Sequence, residues 1–129
     1  MSRKNFPRIL LSVFVFSAIA IRAFAGPLAV IEWKEISIDC GDVSFDKPLT
    51  VEFSFKNPGM IPLIITDVKP SCGCTVADYP KQPIVSGSEG KITVTFDAKT
   101  DGFFSKTISV YSNTEGGLTE LYIKGTVVK

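Results

Sequence analysis

The chain has 129 residues, of which 45% are hydrophobic and 21% are charged, with a formal net charge of +1 and no histidine. This length fits one globular domain and leaves little room for a second. The missing histidine excludes Ser-His-Asp and Cys-His catalysis and histidine-containing zinc sites. No G-x-G-x-x-G or P-loop pattern offers a nucleotide-binding scaffold. We therefore expect a protein that is not an enzyme and carries no cofactor.

The N-terminal segment 1–25 has the three parts of a secretory signal peptide. Basic residues within 1–8 precede an apolar run from 9 to 21, and a small-x-small "AFA" pattern ends at Ala25. The predicted cleavage lies between Ala25 and Gly26. A retained membrane anchor is the alternative, but the apolar run is shorter than the roughly 20 residues that cross a bilayer. We expect a periplasmic or secreted protein that meets the membrane only through this segment, before cleavage.

Cleavage at this position would change the charge of the protein. The segment carries four Lys or Arg residues and no acidic residue, so the remainder holds 10 basic and 13 acidic residues, a net charge of −3. A mildly acidic protein has no electrostatic reason to bind nucleic acid. Export would also place the three cysteines in a compartment where disulfides persist.

The exported part is predicted to consist of about seven β-strands. Turn-forming stretches separate runs in which apolar and polar residues alternate. In "LTVEFSFK", for example, Val51, Phe53 and Phe55 share one face and the polar residues share the other. The same alternation occurs in "KITVTFD", "FFSKTISVY" and "LYIKGTV", and weaker strands are predicted in "EISIDCG" and "CTVADY".

These strands predict an all-β fold, an immunoglobulin-like antiparallel sandwich over residues 35–129 that follows a short linker at 26–34. A small closed barrel is the alternative. The continuously apolar "LIITDV" (63–68) predicts a strand covered on both faces or near the domain centre. The C-terminal "LTELYIKGTVVK" predicts either an ordinary sandwich strand or an edge open to strand addition.

Several motifs then occur in a fixed order from about Glu35 to Val127. They are F-x-F-x-N, "PLII", "PSCGCT", Y-P-x-x-P-I-x-x-G, G-x-I-x-V-x-F and G-x-F-x-K-T-I-x-V-x-S-N. In these motifs the chain closely resembles the exported bacterial family known as domain of unknown function 1573. The resemblance implies an immunoglobulin-like fold, more distantly similar to PapD-type chaperones and major sperm protein, and it implies no function. The chain departs from the family's D-F-G pattern by carrying Cys40 in place of the aromatic residue.

The thiols of Cys40, Cys72 and Cys74 are the remaining candidates for chemistry. A disulfide between Cys72 and Cys74 would close a very small loop, which the conformational freedom of Gly73 allows. A bond from Cys40 to either of them would close a loop of about 30 residues and stabilise the fold by roughly 3–4 kcal/mol. If Cys40 replaces a core aromatic, it is a small buried hydrophobe. Cys72 and Cys74 could instead bind Cu(I), with Cys40 as a third ligand, or take part in thiol exchange.

Two functions from different classes therefore remain open. The first is a non-catalytic exported sandwich that binds or scaffolds a protein or another component of the cell envelope. The alternative is a small copper-binding or thiol-redox protein that uses the loop of Cys72 and Cys74. The lack of histidine, of cofactor motifs and of a plausible catalytic triad favours the first.

Overall fold

The computed structural model describes residues 27–129, so the predicted signal peptide and its cleavage site at Ala25 and Gly26 lie outside the described residues. The described chain is built from β-strands joined by turns. In order, they are β1 (Glu32–Trp33), β2 (Ser37–Ser44), β3 (Leu49–Lys56), β4 (Ile65–Pro70), β5 (Thr75–Asp78), β6 (Glu89–Phe96), β7 (Gly102–Ser112) and β8 (Leu118–Val128).

These strands form two four-stranded sheets, in the orders β1-β3-β6-β5 and β2-β8-β7-β4. The N-terminal strands divide between the sheets, because β1 pairs antiparallel with β3 whereas β2 pairs parallel with β8. The other strand pairings are antiparallel. The prediction of an all-β immunoglobulin-like sandwich is confirmed, and the parallel pairing of β2 with β8 is a feature that the sequence did not indicate.

The core lies between the two sheets and consists of the inward-facing residues that the alternation predicted. On β3, for example, Phe53 and Phe55 are buried, whereas Glu52 and Ser54 are exposed. Burying a side chain of this size stabilises the fold by about 1.5–3 kcal/mol. The largest fully buried apolar side chains come from both sheets and one connecting loop: Phe53, Leu63, Ile92, Ile108, Leu121 and Ile123.

The position of β4 differs from the prediction, and β8 takes one of the two positions that were predicted for it. β4, in the run predicted to be covered on both faces, is the outer strand of its sheet and exposes Thr66 and Lys69. β8, a candidate edge strand, lies between β2 and β7 and is paired on both sides. Strand addition at β8 is therefore excluded. The face of a strand that is buried can be predicted from local periodicity. The position of that strand within a sheet depends on its pairing with strands far away in the sequence.

The segment predicted as a linker at 26–34 contributes to the sandwich where it is described. Ala29 is buried and forms an isolated β-bridge to Thr114, and β1 pairs with the end of β3. The sandwich thus begins before residue 35. A two-residue strand is too short for alternation to reveal it. Within residues 27–129 no helix is long and apolar enough to cross a membrane.

Candidate functional site

The turn that contains Cys72 and Cys74 connects β4 to β5 and so crosses from one sheet to the other. At its start the Ser71 amide donates to the Thr107 carbonyl at 2.8 Å, and the Thr107 amide donates to Ser71 Oγ at 3.1 Å. At its end the Asp97 amide donates to the Cys74 carbonyl at 3.0 Å. Backbone hydrogen bonds therefore attach both ends of the turn to the sheets.

Cys72 and Cys74 form a disulfide, with their Cα atoms 5.3 Å apart. Among the three pairings that the sequence left open, the structure has the one between near neighbours, and Cys40 is free. The bonds from Cys40 do not form because β2, which carries Cys40, and β4, which precedes Cys72, are opposite edges of one sheet. Gly73 does not adopt a left-handed backbone conformation, so the turn does not use the freedom that the sequence suggested.

This disulfide bears on the soft-metal interpretation of Cys72 and Cys74. Metals bind thiolates, so copper binding at this pair would require its reduction first. Cys40 lies on the opposite edge of the sheet and is not placed to act as a third ligand. In the described part of the chain, no group of three or more His, Cys, Asp or Glu side chains is arranged to hold a metal ion.

A buried hydroxyl group lies beside both sulfur atoms. Thr75 is the first residue of β5 and is only 4% exposed. Its Oγ1 lies 3.7 Å from Cys72 Sγ and 3.7 Å from Cys74 Sγ, and these sulfurs are its hydrogen-bond contacts within residues 27–129. A disulfide sulfur carries no hydrogen, so Thr75 is the donor. Sequence reasoning missed this residue, although it closes the "PSCGCT" motif.

A cleft of about 170 Å³ opens beside Cys74, between the disulfide turn and the turn from β6 to β7. Phe103 is among its lining residues and is 74% exposed, an unusual position for an aromatic side chain. Charged side chains of both signs also contribute to the lining. The lining residues are Cys74, Phe96, Asp97, Thr100, Asp101, Phe103, Phe104 and Lys106.

Cys40 lies on β2 and packs half-buried against the core. Burial raises the pKa of the Cys40 thiol above its ordinary value of 9.0, and the carboxylate of Asp39 raises it further. A thiol with a raised pKa stays protonated near neutral pH and is a weak nucleophile. Because the folded state disfavours the thiolate, the free energy of unfolding is at its full value below pH 9. It falls as the pH rises through the raised pKa of Cys40. Its half-buried packing suits a small hydrophobe better than a reactive thiol.

On the side of the sandwich opposite the turn of Cys72 and Cys74, one edge of β3 is only partly covered. β6 pairs with β3 along its whole length, whereas β1 pairs only with Phe55 and Lys56, and the Lys34 amide donates to the Ser54 carbonyl at 3.0 Å. Backbone groups of alternate residues point to opposite sides of a strand. The N–H and C=O groups of Thr50 and Glu52 therefore point away from β6, with no backbone partner in the described chain. We call these four groups the β3 edge.

The β3 edge lies on the same side of the sandwich as β2 of the other sheet, because β4 and β5 meet at the opposite ends of the two strand orders. Inward-facing residues that would be fully buried in a closed sandwich are only partly buried here. They are Leu49 and Val51 of β3 and Ile38 and Cys40 of β2, and all four pack against the core. We call these residues the seam. The seam leaves part of the core's apolar surface accessible beside unpaired backbone groups.

The fold and these sites define a small immunoglobulin-like sandwich with a disulfide-bonded turn on one side and an open strand edge on the other. Residues 31–127 match the family described as Protein of unknown function (DUF1573), and the chain belongs to that family. No curated protein matches the chain.

Three similar solved structures share this fold. A protein of unknown function from Porphyromonas gingivalis W83 is 17% identical, with a TM-score of 0.71 over 82% of this chain and 51% of that one. The ASH / PapD-like domain 7 of human CEP192 is 11% identical, with a TM-score of 0.63 over 84% and 93%. The YadV chaperone is 15% identical, with a TM-score of 0.55 over 77% and 52%. The chain thus spans about half the length of the first of these, and the likenesses show the fold alone.

The disulfide is expected to contribute only modestly to stability. Replacing both cysteines, Cys72→Ser with Cys74→Ser, should lower the free energy of unfolding by about 1.5 kcal/mol, the chain-entropy value for a loop of three residues. Urea unfolding of residues 26–129 measures this, with Cys40→Ser as the control that removes a thiol but no disulfide. A loss above about 3 kcal/mol would contradict the prediction and make the bond a principal support of the fold.

Proposed function

We propose that this protein is a non-catalytic, exported sandwich module that binds an extended segment of a cell-envelope protein by strand addition at the β3 edge. The single observation that carries the proposal is the unpaired backbone of Thr50 and Glu52 beside the seam. A periplasmic or extracellular location is part of the proposal and is supported by the predicted signal peptide.

A strand lying antiparallel to β3, in line with β1, would pair the open backbone groups of the β3 edge and cover the accessible apolar residues of the seam. Its backbone would exchange hydrogen bonds with Thr50 and Glu52, each contributing about 1 kcal/mol net. Its alternate side chains would enter the seam and cover Leu49 and Val51, at about 25 cal/mol per Å² of apolar area removed from water. The partner segment is therefore expected to be extended, with apolar residues at every second position.

The outer strands β2, β4 and β5 are protected against such pairing in ways that the β3 edge is not. The pairing of β2 with β8 shifts register between Asp39 and Asp42, and that of β4 with β7 shifts between Ile65 and Asp67. β5 has only four residues. Bulges, charges and short length are the usual protections of sheet edges. The β3 edge has a regular pairing register and borders accessible apolar surface, which makes it the best-suited site.

The similar structures support a binding role in general terms. YadV is named as a chaperone and the CEP192 domain is named as PapD-like. Strand addition is a recurrent binding mode of sheet proteins with an exposed edge. The missing histidine and the absence of cofactor motifs support a module without catalytic activity.

Proline at the edge tests this proposal. Thr50→Pro removes one outward N–H, and because this group does not face β6 the strand should remain folded. We expect partner recovery by crosslinking and co-purification from the native envelope to fall at least fivefold, because one hydrogen bond of about 1 kcal/mol is lost. Thr50→Val, which changes the side chain and keeps the N–H, should retain recovery within about twofold.

Hydrogen exchange shows whether the captured partner uses this edge. In the recovered complex the amides of Thr50 and Glu52 should exchange at least tenfold more slowly than in the free protein, because strand addition would bond them. Equal recovery with Thr50→Pro, in protein with unchanged thermal unfolding, would refute the proposal. Unchanged exchange at both amides would refute it equally.

A further inference from the structure

We propose that the Cys72–Cys74 disulfide exchanges with thiols of a partner polypeptide, and that Thr75 favours this exchange by donating a hydrogen bond to the departing Cys72 thiolate. This activity goes beyond strand addition and is located elsewhere, on the side of the sandwich formed by β4 and β5. Three observations carry it: the small loop that the bond closes, the buried hydroxyl beside both sulfurs, and the cleft beside Cys74.

The first observation is that the disulfide closes a very small loop and therefore contributes little to the stability of the fold. Its two cysteines are separated by one residue, so it restricts only a very short piece of chain. The turn is attached to both sheets by backbone hydrogen bonds through Ser71, Thr107 and Asp97, none of which involves a sulfur. Both cysteines are also partly exposed. Accessible disulfides that are not needed by the fold are the ones that exchange most readily.

The second observation is the position of the Thr75 hydroxyl. It is buried and lies 3.7 Å from each sulfur, at the weak limit of a hydrogen bond. A buried hydroxyl without a strong acceptor destabilises the protein, so the position of Thr75 disfavours the oxidised form. Reduction turns both sulfurs into thiols or thiolates, and a thiolate at either position is a strong acceptor within reach of the hydroxyl. Thr75 therefore stabilises the reduced form, which makes the disulfide a better oxidant.

The third observation selects the sulfur that is attacked. Cys74 lines the cleft, together with the exposed ring of Phe103, which offers apolar contact to the chain around an incoming thiol. Lys106 in the same cleft attracts a thiolate, and the carboxylate of Asp97 repels it. The carboxylate of Asp101 is paired with Lys129 at 4.0 Å, which weakens its repulsion. Attack from the cleft on Cys74 makes Cys72 the leaving group, and Thr75 Oγ1 is within reach of it.

The reaction balances without any further reagent than a partner that carries two thiols. The first partner thiolate attacks Cys74 Sγ, the bond between the two cysteines breaks, and Cys72 leaves as a thiolate that accepts from Thr75. The second partner thiolate attacks the partner sulfur of the mixed disulfide and releases Cys74 as a thiolate. The partner is oxidised to a disulfide by loss of two electrons, and Cys72 and Cys74 take up its two protons.

Redox titration against glutathione tests the role of Thr75. The exported product of the full chain is used, with Cys40→Ser in every sample so that the pair of Cys72 and Cys74 alone reacts. We expect Thr75→Val to shift the equilibrium constant about tenfold toward the disulfide, because the hydrogen bond to the thiolate is lost. Thr75→Ser keeps the hydroxyl and should remain within about threefold of the parent. Thermal unfolding of the oxidised proteins verifies that each variant is folded.

Two results would overturn the inference. Equal constants for the parent and Thr75→Val would show that the hydroxyl does not stabilise the reduced form. A disulfide that stays oxidised in folded protein at a glutathione excess that reduces an unstructured C-G-C peptide would show that it does not exchange. Trapping supplies a further readout: Cys72→Ser should accumulate a mixed disulfide with glutathione at Cys74 at least fivefold faster than Cys74→Ser does at Cys72. Partner binding at the β3 edge is expected to be unchanged in Thr75→Val.

Discussion

Replacing Asn57 with alanine is expected to lower the free energy of unfolding by about 3–4 kcal/mol. Asn57 directly follows β3 and is completely buried. Its Nδ2 donates to the carbonyls of Ile61 at 2.8 Å and Ile84 at 2.9 Å, and its Oδ1 accepts from the Gly59 amide at 3.0 Å. Alanine would leave these backbone groups without their side-chain partner, and an unsatisfied buried group costs about 1–3 kcal/mol.

Asn113→Ala is the matched control for this prediction. Asn113 makes bonds of the same kind, accepting from the Ile64 amide at 2.8 Å and donating to the Pro62 carbonyl at 3.0 Å. It is partly exposed, so water can replace these bonds and the expected loss is only about 1 kcal/mol. Chemical unfolding of both variants measures the difference. Equal losses would contradict the view that burial makes the amide of Asn57 so costly to remove.

Introducing a methyl group at Gly125 is expected to cost about 2–3 kcal/mol. Gly125 lies in the middle of β8, opposite Phe104 of β7. A Cβ atom at this position would stand 2.7 Å from the Gly41 carbonyl oxygen and 2.9 Å from the Phe104 ring. Gly41 belongs to the irregular part of β2, so relief of the contact would push β2 away from β8. Gly125→Ala should therefore loosen the seam as well as destabilise the fold.

Gly73→Ala provides the control for Gly125→Ala. An added Cβ at Gly73 would meet nothing within 4 Å, and the backbone there is not left-handed. We expect a change within about 0.5 kcal/mol. Thermal and chemical unfolding measure stability, and the alkylation rate of Cys40 reports on the seam, since displacement of β2 would expose this thiol. Unchanged stability and unchanged alkylation in Gly125→Ala would show that β2 and β7 tolerate the methyl group.

Much of the fold could be predicted because side-chain alternation is a local property. In β3, β6, β7 and β8 the residues predicted to face inward do so, and all but the partly buried Val51 are buried. The places of the strands could not be predicted in the same way. The apolar run before and within β4 suggested a strand covered on both faces or near the domain centre, whereas β4 is an outer strand. The sequence allowed β8 to be either an ordinary sandwich strand or an edge, and the structure has the former. Sheet order depends on pairing between distant segments, which alternation does not encode.

The disulfide turn and the β3 edge could also be predicted only in part from the sequence. The sequence indicated that Cys72 and Cys74 were the chemically distinctive residues, and it allowed their pairing along with two others. It did not indicate Thr75, because a threonine at the start of a β-strand is ordinary until its hydroxyl is found beside both sulfurs. It also did not indicate the β3 edge, because "LTVEFSFK" reads as a regular strand whether one or both of its edges are paired.

The sequence by itself determined the fold class, the inward and outward faces of the main strands and the membership in the family, because each of these depends on residue types at short, regular spacing. Only the tertiary structure decided which cysteines are paired, what lies beneath their disulfide and which backbone groups remain open. Those features depend on contacts between segments far apart in the chain. Cys40 is the clearest case, since the strand order places it across the sheet from Cys72 and leaves it free.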